Sequence, residues 1–356
     1  MNKEKIISMI GELSNANGAP GFEDEVLEVI RRYSESYGVI TEDSMRNLYV
    51  RRNGNSGKCM LQLDAHTDEV AFMVHHINND GSLKFITLGG WVPSSVPSHA
   101  LRVHTADGYI PGIIAAKPPH YMSEAEKNAA PKLTDMVIDI GAVSKEDAIK
   151  NFGARIGEPV IPEAKFQYIK KHDLLFGKAF DDRIGCVALI TLMEQFKGKN
   201  LDVDMTCVFA SQEEMGLRGT QVGTYSVKPD VAIVFEGCPA DDTFNSSGVI
   251  QTAIKKGPML RHIDSKMITN PRFQRFALDI ADEFKIPVQE AVRTGGATNG
   301  GVIHISNQGV PVIVIGLPVR YIHTHYGFAV YEDFENAIKL GVAIIERLNK
   351  ERIASF

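Results

Sequence analysis

Five short segments carry acidic or histidine side chains that could do chemistry together. They are Ala65-His66-Thr67-Asp68-Glu69, Phe180-Asp181-Asp182-Arg183, Gln212-Glu213-Glu214-Met215-Gly216, Phe235-Glu236-Gly237 and Arg320-Tyr321-Ile322-His323-Thr324-His325. Two imidazoles and three carboxylates suffice to hold two divalent ions, and one further carboxylate can move a proton. That is the minimum set for metal-assisted hydrolysis. In such a centre the Asp68 carboxylate would orient the His66 imidazole and raise its basicity. A bridging ligand must be a short carboxylate on a rigid turn, offering one oxygen to each ion. Asp181, just ahead of a predicted helix, fits that role, and Asp182 would help fix the turn. The same pair could instead serve only the helix dipole. Adjacent glutamates on a regular strand point to opposite faces, but just past a strand end Glu213 and Glu214 can both reach one cavity. One would ligate while the other holds the water. With Asp181, Glu214 and Glu236 as ligands, two divalent cations remain one negative charge short of neutrality, which is the charge of a hydroxide.

The elements that must position these residues follow from hydrophobic patterning. Met60 to Ala65 reads as a short strand running into His66, and similar strands span Met205 to Ala210, Val231 to Phe235 and Val312 to Ile315. Helical patterns lie between them at Arg183 to Phe196, Asn270 to Phe284 and Tyr331 to Leu348, after two amphipathic helices that open the chain. Alternating strands and helices imply an α/β fold with a mainly parallel, helix-covered sheet, and ligands of such sheets bind outside the carboxyl ends of the strands. Segment 72–162 breaks the rhythm with short β-like runs and Gly/Pro turns. It is expected to be an inserted, smaller β-rich domain, leaving 1–71 and 163–356 as the catalytic domain.

Composition narrows the function classes. The 356 residues carry a net charge of −6 and no Lys/Arg-rich run, so nothing suggests nucleic acid or an anionic membrane as partner. The most apolar stretch, Val310 to Val319, holds two prolines and is far shorter than a bilayer span. MNKEKIISMIGEL interrupts its apolar residues with Glu4 and Glu12 and reads as a surface helix, not a signal sequence. Cys59, Cys186, Cys207 and Cys238 lie far apart with no C-x-x-C pair, as expected of free thiols in a reducing cytoplasm. The chain has no nucleophile-elbow G-x-S-x-G and no Walker loop.

With these motifs assembled, the chain resembles the M42 family of metallo-aminopeptidases, which includes the tetrahedral TET peptidases and proteins once labelled endoglucanases. The resemblance runs almost end to end. It also rests on Gly89-Gly90-Trp91, Lys117-Pro118-Pro119-His120, Ile138-Asp139-Ile140-Gly141-Ala142, Gln212 through Gly219 and Pro229-Asp230. It implies a fold of the zinc-exopeptidase type and two divalent ions per chain, zinc with cobalt or manganese as substitutes. Asp181 would bridge the ions, His66 and Glu236 would complete one site, and Glu214 and His323 the other. Glu213 would be the general base, Asp68 would assist, and His325 would lie near the substrate. The family often has Asp where this chain has Glu236, a change that keeps the charge. Many relatives read Gly-Thr-Asp where this chain has Ala297-Thr298-Asn299, so position 299 is expected to influence substrate preference. The implied activity is removal of N-terminal residues from short peptides in the cytoplasm. The implied assembly is a hollow tetrahedral dodecamer built from dimers, which the inserted domain forms. Two competing readings are a glycoside hydrolase, which needs paired carboxylates but neither histidines nor metals, and a peptide-binding assembly with a weak or vestigial site.

Overall fold

The computed structural model describes residues 1–356. It divides into two compact units, one of Met1–Asp68, Phe166–Ile322 and Tyr326–Phe356, the other of Glu69–Lys165 with His323–His325. The short stretch His323–His325 therefore packs with the smaller unit, whereas the boundaries expected from sequence leave it in the larger.

The larger unit is organised on an eight-stranded sheet in the order Gly38–Glu42, Leu48–Arg52, Asp204–Ala210, Met60–His66, Val231–Pro239, Val312–Val319, Met259–Ile263, Gln289–Val292. Its four middle strands are mutually parallel, as the βα alternation requires. The flanks differ: Leu48–Arg52 joins Asp204–Ala210 antiparallel, and Met259–Ile263 joins Val312–Val319 antiparallel. The outermost pair, Gly38–Glu42 and Leu48–Arg52, is also antiparallel, because only residues 43–47 separate the two strands and so short a link forces a hairpin.

The helix Phe180–Gln195 is buried on nearly every side, through Ile184, Cys186, Val187, Ala188, Leu189, Ile190, Leu192 and Met193. A helix apolar all round must sit at the centre of its unit, and its first turn carries Asp181 and Asp182. In the sheet, register sets Ala210 beside His66 and Asp64 beside Val234. The chain segments leaving these strands therefore start from adjacent positions.

The smaller unit is a closed barrel of Ala71–Ile77, Leu83–Leu88, Ile138–Asp139, Gly108–Ile114, Ala100–Thr105 and Pro159–Pro162. Phe72, Val74, Leu83, Leu101, Val103, Ile114, Ile138 and Val160 form its core. No helix of the chain is long and apolar enough to cross a membrane.

Candidate metal centre

Along Met60–His66 the side chains alternate, with Leu61, Leu63 and Ala65 in the main apolar core and Gln62, Asp64 and His66 on the opposite face. His66 ends the strand fully buried. Its Nε2 lies 3.1 Å from Asp181 Oδ1 and 4.0 Å from Glu213 Oε2, and its Nδ1 lies 3.3 Å from Asp68 Oδ1. Burial disfavours the imidazolium, but Asp181 and Asp68 outweigh it and hold the histidine well above its usual pKa.

Two sets of potential ligand atoms gather here, each within 4.8 Å: His66 with Asp181 and Glu214, and His66 with Asp182 and Glu236. The second set contains a residue whose oxygens are already engaged. Asp182 Oδ1 accepts from the Gly237 and Gly185 N–H groups at 2.9 and 3.1 Å, and Oδ2 accepts from the His66 N–H at 3.2 Å. Asp182 thus ties three backbone segments together, leaving Asp181 as the carboxylate of this turn aimed at His66. Gly237 is needed at its position, because a Cβ there would come 2.7 Å from Phe180 O and Asp181 Cα.

Asp68 does comparable work on the next loop, accepting from the Glu213 N–H at 2.9 Å and the Glu214 N–H at 3.1 Å. One aspartate therefore faces the imidazole and also fixes the backbone of both glutamates.

Whether these residues fit metal ions can be tested on Glu236. It is 4% exposed, and its Oε2 is buried with no hydrogen-bond partner. Burial pushes its carboxyl well up, with Asp182, Glu213 and Asp181 adding to the rise and His66 opposing it. A buried carboxylate oxygen without a donor, among other carboxylates, is costly unless a cation neutralises it. Histidine with hard oxygen donors suits zinc, cobalt and manganese. The donor set fits divalent metal.

His323 is not in either set. It belongs to the smaller unit, where its Nδ1 lies 2.9 Å from Gly90 O. A carbonyl only accepts, so Nδ1 carries the proton and Nε2 the lone pair a ligand would use. A Cβ on Gly90 would approach this Nδ1 to 3.1 Å.

Two further candidates from the sequence, His325 and Asn299, are both fully buried. The His325 ring is stacked on His99 at 3.7 Å between centroids and tilted against Trp91 at 5.1 Å. Burial, with His99 adding, pushes its pKa down to about 3, so its surroundings disfavour the charged ring. Asn299 Nδ2 donates to Asp64 Oδ1 at 2.7 Å. Position 299 thus packs against the strand that carries His66.

Asp64 was missed from sequence. Besides Asn299 it accepts from Thr220 Oγ1 at 3.0 Å and from Gln62 Nε2 at 2.8 Å. Burial still pushes its carboxyl up to about 7. The signal that could have found it is the period-two polar run Gln62, Asp64, His66 inside an otherwise apolar strand.

An α/β sheet whose strand ends gather a histidine and several carboxylates at ligand spacing is the architecture of a metallohydrolase. The chain belongs to the M42 glutamyl aminopeptidase family, whose sequence profile matches residues 46–340, and membership makes it an aminopeptidase. It is 31% identical over 356 residues to the glutamyl aminopeptidase of Lactococcus lactis subsp. cremoris (strain MG1363), covering 98% of each chain. Among solved structures it is similar to a TET aminopeptidase from the marine sediment archaeon Thaumarchaeota archaeon SCGC AB-539-E09. That likeness has a TM-score of 0.96 at 36% identity and covers 100% of this chain and 99% of that one. It is also similar to the Pyrococcus horikoshii TET1 peptidase, which can assemble into a tetrahedron or a large octahedral shell. Here the TM-score is 0.87 at 25% identity, over 96% of this chain and 100% of that one.

Proposed function

We propose that the chain is a two-metal aminopeptidase that removes N-terminal residues from short peptides, with Glu213 as general base. The observation that carries this reading is the convergence of His66, Asp181 and Glu214 at ligand spacing, with Glu213 beside them and outside both ligand sets. His66 and Glu236 would hold one ion, Glu214 the other and Asp181 both. His323 is assigned to the second ion on the sequence pattern alone. Divalent ions bound there would polarise the peptide carbonyl and make an attacking water more acidic. Glu213 takes the proton of that water and delivers it to the leaving amine. Asp68 keeps the base in place through the Glu213 N–H and faces His66, while Asp182 holds the strand and helix ends together. We take zinc as the working ion, with cobalt and manganese as substitutes, and the cytoplasm as the compartment, in keeping with four free cysteines.

An exopeptidase needs a free α-amine. Aminoacyl-chromophore substrates and short peptides are therefore expected to be cleaved, and their N-acetylated counterparts to be left intact. Cleavage inside N-blocked peptides, or of cellulose in the presence of chelator, would overturn the aminopeptidase reading.

We further propose that the chain forms dimers through the segment 72–162 and that six such dimers assemble into a dodecamer, as the resemblance to TET peptidases implies. Twelve chains of 39.2 kDa would weigh about 470 kDa, which light scattering separates readily from a dimer. A chain that stays monomeric at all working concentrations would contradict the assembly and leave the site chemistry untouched.

A further inference from the structure

The loop that presents the general base is held by a second buried acid. Glu23 follows the Pro20-Gly21 turn and occupies the N-cap position of the helix Asp24–Ser34. Short carboxylates such as Asp cap their own helices at this position, but the longer Glu23 makes no such bond. Its Oε1 accepts instead from the Gly21 N–H at 2.8 Å and, across 189 residues of sequence, from the Gln212 N–H at 3.1 Å. The next two amides, of Glu213 and Glu214, are taken by Asp68. Three successive N–H groups of the base-bearing loop are thus each bound to a buried carboxylate.

Two further features separate this arrangement from ordinary packing. Gln212 has φ +52°, the left-handed region that costs a non-glycine residue on the order of 1 kcal/mol, so something must hold it there. Glu23 is itself expensive: it is fully buried, and its Oε2 has no hydrogen-bond partner. Gly21, at φ +86°, makes the tight turn from which its N–H reaches the same oxygen.

We infer that Glu23 is a positioning residue for catalysis, fixing the backbone at Gln212 so that Glu213 meets the attacking water. This rests on Glu213 being the base, as proposed above. A displacement of about 1 Å at a reacting group can cost on the order of 100-fold in rate, and loss of the Glu23 oxygen frees one of the three anchors.

The test compares Glu23→Ala, Glu23→Gln and Glu23→Asp with the parent enzyme at full metal load. Glu23→Ala is expected to lower kcat by about 10- to 100-fold, with KM and metal content unchanged. Glu23→Gln keeps an acceptor oxygen for both amides and should recover most of kcat, whereas Glu23→Asp, one methylene short, should not. Amide hydrogen exchange at residues 212–214 should accelerate in the Ala and Asp variants alone. If Glu23→Ala does not fold, the Gln and Asp pair decides. Parental kcat in Glu23→Asp, equal loss in Glu23→Gln, or loss of metal in any of the three would overturn the assignment. If instead Glu213→Gln retains parental turnover, the reading of Glu213 as base falls, whatever the Glu23 variants do.

Discussion

Glu213→Gln is expected to keep its metal and fold while turning over peptides about 10²- to 10⁴-fold more slowly, the usual contribution of a positioned general base. The geometry separates the two roles. Glu213 lies in neither set of converging ligand atoms, so its replacement removes no donor. Its N–H bond to Asp68 involves the main chain and survives the change. Only the oxygen that would accept the proton is lost. Steady-state kinetics with elemental analysis on the same sample read both quantities. Lost metal with normal turnover per bound ion would mean that Glu213 and Glu214 have exchanged roles.

The neighbouring aspartates should part company as sharply. Asp181→Ala is expected to abolish tight metal binding while the metal-free protein melts close to the parent, because the side chain is directed at His66 Nε2. Asp182→Ala removes an acceptor shared by the N–H groups of His66, Gly185 and Gly237. Hydrogen bonds to a charged acceptor contribute about 1.5–3 kcal/mol each. Burial pushes this carboxyl well above its normal range, which offsets part of the sum, so a net loss of about 3 kcal/mol is expected. Thermal unfolding of the metal-free variants measures it. If Asp182→Ala melted like the parent and lost only metal, Asp182 would be the ligand.

The parts of this site legible in the sequence were those written locally. Apolar runs ending in His66 and Ala210, or continuing through Glu236, mark strands, and strand ends in a parallel sheet share an edge. Two acids ahead of the apolar helix at 183–196 mark a turn. Partners that exist only through tertiary packing were not legible. Asn299 meets Asp64 across 235 residues and Glu23 meets Gln212 across 189, and neither pair has a spacing that short-range periodicity could reveal. The resemblance implies that position 299 influences substrate preference; its contact with Asp64 comes from the fold. Neither the barrel closure of Ala71–Ile77 with its neighbours nor the packing of His323–His325 with that barrel is written in local pattern. The short strands Met259–Ile263 and Gln289–Val292 were also missed, being brief and set at the sheet margin where alternation is weak.

Removing and restoring the metal decides whether peptide hydrolysis depends on bound ions. Protein dialysed against chelator should lose aminopeptidase turnover and regain it on addition of zinc, cobalt or manganese, with elemental analysis of the restored protein giving two ions per chain. Full turnover of free-amine peptides by protein shown to contain no metal would contradict that dependence.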